Sequence, residues 1–275
     1  MELEFAIRNE ISEIFRKTLP KYYWRRKLNY FKNNFSEIEM SLLPILTKKD
    51  KTSLDIGAAS GSFLVNLLDT SNIVIGFEPI PENVNLLNEM ISYSKINATI
   101  ESVALSDKTG TAILNMIEND LGRSTIEATN VLKDNNGSNK TEIKVSTKKL
   151  DDFDYNNIGF IKIDVEGHEL AVLKGSENTI LKNMPNFLIE IEERHKPNAL
   201  EDVNEIMNQY NYSGYFILNR EIISISEFDI NEYQNSNNIG DYTDNYQRKG
   251  IYINNFIFLP NEESDLILKE ALNYL

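Results

Sequence analysis

The 275-residue chain contains no cysteine. Disulfides, thiolate metal sites and cysteine nucleophiles are therefore excluded. Histidine occurs only at His168 and His195, so imidazole chemistry falls to two positions. No stretch approaches the ~20 apolar residues that a membrane span needs. The start, Met1-Glu2-Leu3-Glu4-Phe5, is charged early and lacks the apolar run of a secretory signal, which makes the cytoplasm the expected location. Positive charge is scarce: 28 Lys and Arg oppose 42 Asp and Glu, a formal net charge of -14. A protein that tracks phosphates carries a basic face, so nucleic acid is not an expected partner. Also missing is the G-x-G-x-x-G signature of dinucleotide sites.

What is present suits one large α/β domain with appended segments. Residues 1–48 read as a helical extension. Phe5, Ile7, Ile11, Ile14 and Phe15 recur at helical spacing, Pro20 interrupts, and Leu28, Phe31, Phe35, Ile38, Leu42 and Leu43 form a second pattern. Within it, Tyr22-Tyr23-Trp24-Arg25-Arg26-Lys27 is a basic-aromatic cluster in an acidic protein. It either touches an anionic membrane or a sugar, or packs its rings on the core with its charges in water, the commoner arrangement.

From residue 49 to 275, strand and helix patterns alternate. Strands are expected at Ser53 to Ile56, Asn72 to Phe77 and Thr99 to Leu105, with helices at Phe63 to Leu68 and Glu82 to Tyr93. That alternation implies parallel βαβ units in a doubly wound sheet. Residues 110–150 break the rhythm as a β insertion, with strands at Thr111 to Ile117 and Glu142 to Val145 and a turn-rich stretch from Asp134 to Asn139. Strands resume at Gly159 to Val165 and Phe187 to Glu192, then a helix over 200–210 and a closing strand pair at Tyr215 to Leu218 and Phe256 to Leu259. Residues 229–249, rich in Asn, Asp and Tyr, read as a long polar loop.

Four motifs carry chemistry. Asp55-Ile56-Gly57-Ala58-Ala59-Ser60-Gly61 follows a strand, and its small residues let backbone approach a ligand closely or simply make a tight turn. Glu78 ends the second strand, about 20 residues on, where an acid suits a ribose diol. Ala104 and Asp107, at the end of the third strand pattern, would pack against adenine and face its amino group, or contact no ligand. The most distinctive stretch is Lys162-Ile163-Asp164-Val165-Glu166-Gly167-His168-Glu169. Ligands bind outside the carboxyl ends of open α/β sheets, which draws Asp164, Glu166 and His168 together. By period-two alternation Leu188, Glu190 and Glu192 share a face. So many acids at one edge need partners, and Lys162 and His168 are the expected cations. The alternative is a structural ion-pair network. His195 is either a base or an exposed loop residue.

Together, Leu54-Asp55-Ile56-Gly57-Ala58, Phe77-Glu78-Pro79, Ala104-Leu105-Ser106-Asp107, Phe160 to Glu169 and Glu190-Ile191-Glu192 resemble the FkbM family of methyltransferases, over roughly residues 50–200. The resemblance implies a Rossmann-like class I methyltransferase fold with S-adenosylmethionine as donor and O-methylation as reaction. Family members are associated with polyketide and sugar acceptors. It implies that Asp55, Gly57 and Gly61, with Ala58 beside them, line the methionine end of the cofactor. Glu78 would hold the ribose, Ala104 would lie by the adenine, and Asp164 would lie at the transfer site. The family's loop often carries Asn where this chain reads Ala58-Ala59-Ser60, a change that still allows close approach.

The expected reaction is in-line displacement at a sulfonium methyl by a hydroxyl of a sugar or other small molecule. Positioning supplies much of the rate, and a base must remove the proton. His168 is the first choice, with Glu166 or His195 as substitutes. A Mg²⁺-assisted version through Asp164, Glu166, Glu190 and Glu192 stays open but is not the favoured reading. The rivals are an NAD(P)-dependent oxidoreductase and a non-catalytic cofactor- or glycan-binding protein of the same fold.

Overall fold

The computed structural model describes residues 11–275 except 36, 118–119, 128–129, 131–139 and 240–248, and omits the side chains of 120–123 and 140. Phe5, Ile7, the turn from Asp134 to Asn139, and Tyr242 and Tyr246 of the polar loop lie outside the described residues.

The N-terminal extension is helical. Residues 11–18 form one helical segment and Pro20–Asn33 the next, α1. Pro20 sits in the first turn, where its missing N–H costs nothing. Trp24 and Phe31, two turns apart, are the buried residues of α1. They pack toward α2 (Ser62–Leu67) and α3 (Pro81–Ser94), the first two helices of the α/β core.

Five parallel strands build that core: β1 (Thr52–Ile56), β2 (Ile73–Phe77), β3 (Ala98–Glu101), β8 (Ile158–Ile163) and β9 (Asn186–Glu190). Three antiparallel strands follow: β10 (Tyr212–Leu218), β11 (Glu221–Ser224) and β12 (Asn255–Pro260). The order across the sheet is β11-β10-β12-β9-β8-β1-β2-β3. This is the expected α/β, Rossmann-like class I methyltransferase fold, with β12 reversed between β9 and β10.

Every residue of β8 is buried. Its alternation feeds two apolar cores, one on each face: Ile161 and Ile163 enter one, Phe160 the other. Each such side chain contributes roughly 1.5–3 kcal/mol by leaving water. Lys162 shares the Phe160 face, so a cation is built into the middle of an apolar sheet.

The insertion is a sheet of its own, in the order β4-β7-β5-β6. Its strands are β4 (Ala104–Leu105), β5 (Gly110–Ile117), β6 (Asp120–Thr125) and β7 (Lys140–Lys148). The single strand expected from Thr99 to Leu105 is therefore two. Val103 N–H turns back to the Glu101 carbonyl at 2.9 Å, and the chain leaves the main sheet to pair with β7. Leu114, Met116 and Val145 of the insertion form a small core with Ile80 and Ala104.

Two further expectations change. β8 stops at Ile163 and β9 at Glu190, so Asp164, Val165 and Glu192 lie past the strand ends. Within the stretch expected to be a long polar loop, Ile230–Tyr233 is a short helix, and Tyr233 packs on Phe216 and Phe228.

Candidate active site

The glycine loop connects β1 to α2. Gly57 has φ +86°, and a Cβ there would lie 1.9 Å from the Asp164 carbonyl oxygen, so only glycine lets these two strand ends close up. The N–H groups of Gly57 and Ala58 both donate to the Phe77 carbonyl, at 3.0 and 3.1 Å. Gly61 has φ +84°, and a Cβ there would meet Leu87 at 2.7 Å. Its small size serves the packing of α2 against α3.

Glu78, 3% exposed, lies just beyond β2. Its carboxylate accepts from Ala59 N–H and from Ile80 N–H, each at 2.8 Å. Burial raises its pKa, and these bonds oppose the rise.

Glu78 opens onto a cleft. Ile56, Gly57 and Ala59 form one wall, and Val103, Ala104 and Leu105 another. Leu114, Ser124 and Ile126 of the insertion lie over it, while Asp164, Val165, Glu166 and His168 close the end. Of the expected site residues, Gly57, Glu78, Ala104, Asp164, Glu166 and His168 therefore share one cavity.

Asp55, Ala58, Gly61 and Asp107 do not line it. Asp55 is buried behind the loop, where desolvation pushes its carboxyl up to about 7 against the pull of Lys162. Ala58 packs by Gly76. Asp107 lies 3.3 Å from the Ser106 hydroxyl.

Lys162 is the cation among the acids. Its Nζ lies 3.7 Å from Asp164 and 3.9 Å from Glu190, and 5.1 Å from the Phe63 ring centroid. Burial disfavours its charge, but Asp164, Glu190, Glu37 and Asp55 outweigh that and raise its pKa. Among the described residues, no group of three or more His, Asp or Glu is arranged to hold a metal ion.

The histidines take other partners. Nε2 of His168 is 2.9 Å from the Ser106 hydroxyl, and Nδ1 is 3.5 Å from Glu127 of the insertion. Burial lowers the His168 pKa, against the Glu127 charge, which favours the neutral ring. His195 is 6% exposed, not an exposed loop residue, and its Nε2 lies 3.0 Å from Glu166. Glu166 has φ +53°, and its carbonyl accepts from Thr125 Oγ1 and Asn130 Nδ2, both at 2.8 Å. Burial, then Asp164 and Glu192, raises its carboxyl well above the ordinary range. Glu192 is held by Arg194 and the Tyr252 hydroxyl. Their bonds outweigh burial and lower its pKa.

A second cavity, about 340 Å³, lies between the N-terminal helices and the core; Tyr23 and Trp24 line it on one side, Ser60 and Asn83 on the other. Ala59 lines both cavities.

Residues 55–213, more than half of the sequence, match the Methyltransferase FkbM domain. The chain belongs to the FkbM methyltransferase family. No curated protein matches it. Among solved structures it is similar to the FkbM methyltransferase from Methylobacillus flagellatus, at 14% identity and TM-score 0.47, covering 90% of this chain and 60% of that one. The chain thus spans about 60% of that protein's length. It is also similar to an rRNA methylase from Streptococcus thermophilus (13% identity, TM-score 0.43, covering 82% and 96%). A third is a Streptococcus mutans protein crystallised in complex with SAH (10% identity, TM-score 0.45, covering 80% and 95%).

Several site residues of this FkbM chain carry no local signal. Glu37 reaches Asn255 Nδ2 at 3.0 Å from the N-terminal extension, and Glu127 reaches His168 from the insertion. Both are single acids in irregular segments, with nothing nearby to single them out.

Proposed function

We propose that the protein is an S-adenosylmethionine-dependent O-methyltransferase acting on a small hydroxyl-bearing acceptor, with a sugar or glycan as the acceptor class. One observation carries this reading: a single cleft has Glu78 on its wall and Asp164, Glu166 and His168 at its end.

The residues present fit the donor. The side-chain-free Gly57 lines the cleft as part of a backbone cradle, the Glu78 carboxylate suits two ribose hydroxyls, and Ala104 with Ile80 offers apolar walls for an adenine. S-adenosylmethionine would supply an electrophilic methyl on a sulfonium. The protein's tasks are then to position the acceptor, to exclude water and to accept one proton. Leu114 and Ile126 of the insertion line the cleft with apolar side chains. His168, held neutral by burial and oriented by Glu127, accepts the proton at Nε2, directly or across the Ser106 hydroxyl. Glu166, which lines the same cleft, with His195 3.0 Å away, is the second candidate base.

The sugar class rests on chemistry near the loop. The rings of Tyr23 and Trp24, with Asn83 and Ser60, suit a polyhydroxyl ring that stacks on one face and hydrogen bonds at its edge.

The test is transfer of a labelled methyl from S-adenosylmethionine to a panel of free and nucleotide-linked sugars, with and without EDTA. Transfer resistant to EDTA, with kcat lost and S-adenosylhomocysteine binding kept in His168→Ala, is expected. If kcat survives in His168→Ala but is lost in Glu166→Gln, the base is the Glu166–His195 pair. If S-adenosylhomocysteine binds but no hydroxyl acceptor is methylated, the O-methylation reading fails.

A further inference from the structure

Helix α1 is anomalous in charge. Its sequence, PKYYWRRKLNYFKN, carries five Lys or Arg and no acid, within a chain of net charge -14. Trp24 and Phe31 take its inner face. The outer face consists of two adjacent rows at i, i+4, i+8: Lys21–Arg25–Asn29 and Tyr22–Arg26–Tyr30. All six side chains are exposed. Tyr22 is 56% and Tyr30 59% exposed, two turns apart in the same row. Just before the helix, Ile14 and Leu19 are exposed as well, at 61% and 56%.

We propose that this face is a peripheral docking surface for an anionic lipid bilayer. The occupant follows from charge and shape. Three cations and two tyrosines along about 14 Å of helix match a flat, negatively charged headgroup layer, where amphipathic rings settle at the interface. A nucleic acid needs a longer basic track than the stretch from Lys21 to Arg26 offers. A symmetric contact between two copies would place Lys21, Arg25 and Arg26 against their own like charges. The inference is independent of the methyl-transfer reading, because no residue of this outer face lines either cavity.

The experiment is co-sedimentation of the full chain with phosphatidylcholine vesicles, with and without about one-third phosphatidylglycerol, at low and high salt. Binding to the anionic vesicles alone, weakened by salt, is expected. Each cation near such a surface adds about fivefold in partitioning. The triple variant Lys21→Gln/Arg25→Gln/Arg26→Gln should therefore lower the partition coefficient on the order of 100-fold. These positions are exposed, so its melting temperature and S-adenosylhomocysteine affinity should be unchanged, which separates lost docking from lost folding. Equal binding to both vesicle types, no binding to either, or full binding by the triple variant would overturn the proposal. So would self-association that disappears in the triple variant, which would give the face to a second copy of the chain.

Discussion

The backbone N–H of Ala59 donates to the Glu78 carboxylate at 2.8 Å, joining the glycine loop to the end of β2. One acid thus shapes the loop and faces the cleft. Both tasks need its charge, since hydrogen bonds to a charged group are worth about 1.5–3 kcal/mol. Glu78→Gln should weaken S-adenosylhomocysteine binding roughly 10- to 100-fold by titration calorimetry. Undiminished affinity would remove Glu78 from the cofactor site.

Gly57→Ala tests the cradle. The added methyl collides with the Asp164 carbonyl in a positive-φ conformation that alanine resists. Chemical denaturation should show a loss on the order of 3 kcal/mol, together with lost cofactor binding.

Stability should fall as pH rises through neutrality. Asp55 and Glu169 are each pushed up to about 7, chiefly by burial, and so hold their protons more tightly folded than unfolded. The stability this contributes is full below their unfolded values and is lost as pH rises through about 7. Glu192 and His168, both with lowered values, work in the opposite sense, but the raised carboxyls of Glu78, Glu166 and Glu190 add to those of Asp55 and Glu169. Melting temperatures should decline from about pH 5 to about pH 8, and Asp55→Asn should flatten the slope while leaving the Glu169 share. A rising profile would contradict the assignment.

Lys162→Met should cost about 3–5 kcal/mol in guanidinium denaturation, because it strands Asp164, Glu190 and Asp55 without their cation. Adding Glu190→Gln should recover part of the loss, a coupling that distant sites would not show.

Much of this was legible in the chain. The short apolar runs of β8 and β9 read as buried strands, and Gly57 and Glu78 mark strand ends by position. What escaped lay in tertiary structure. The break after Glu101 that sends Ala104 into the insertion sheet interrupts no hydrophobic pattern. Alternation placed Glu192 on the face of Glu190, but the strand stops between them and Glu192 turns to Arg194 and Tyr252. Lys162 pairs with the acids as expected; His168 shares their cleft as expected, but its ring meets Ser106 and Glu127 rather than Asp164 or Glu166. Glu127 and Glu37 reach the site from segments whose sequence gives no sign of where they fold.

The most direct test of the central claim is calorimetric titration of the purified protein with S-adenosylhomocysteine, with NADH and NADPH as comparison ligands. Saturable one-to-one binding of S-adenosylhomocysteine, lost in Glu78→Ala, with no heat from either nicotinamide, is the result predicted. Binding of a nicotinamide cofactor without S-adenosylhomocysteine would contradict the account.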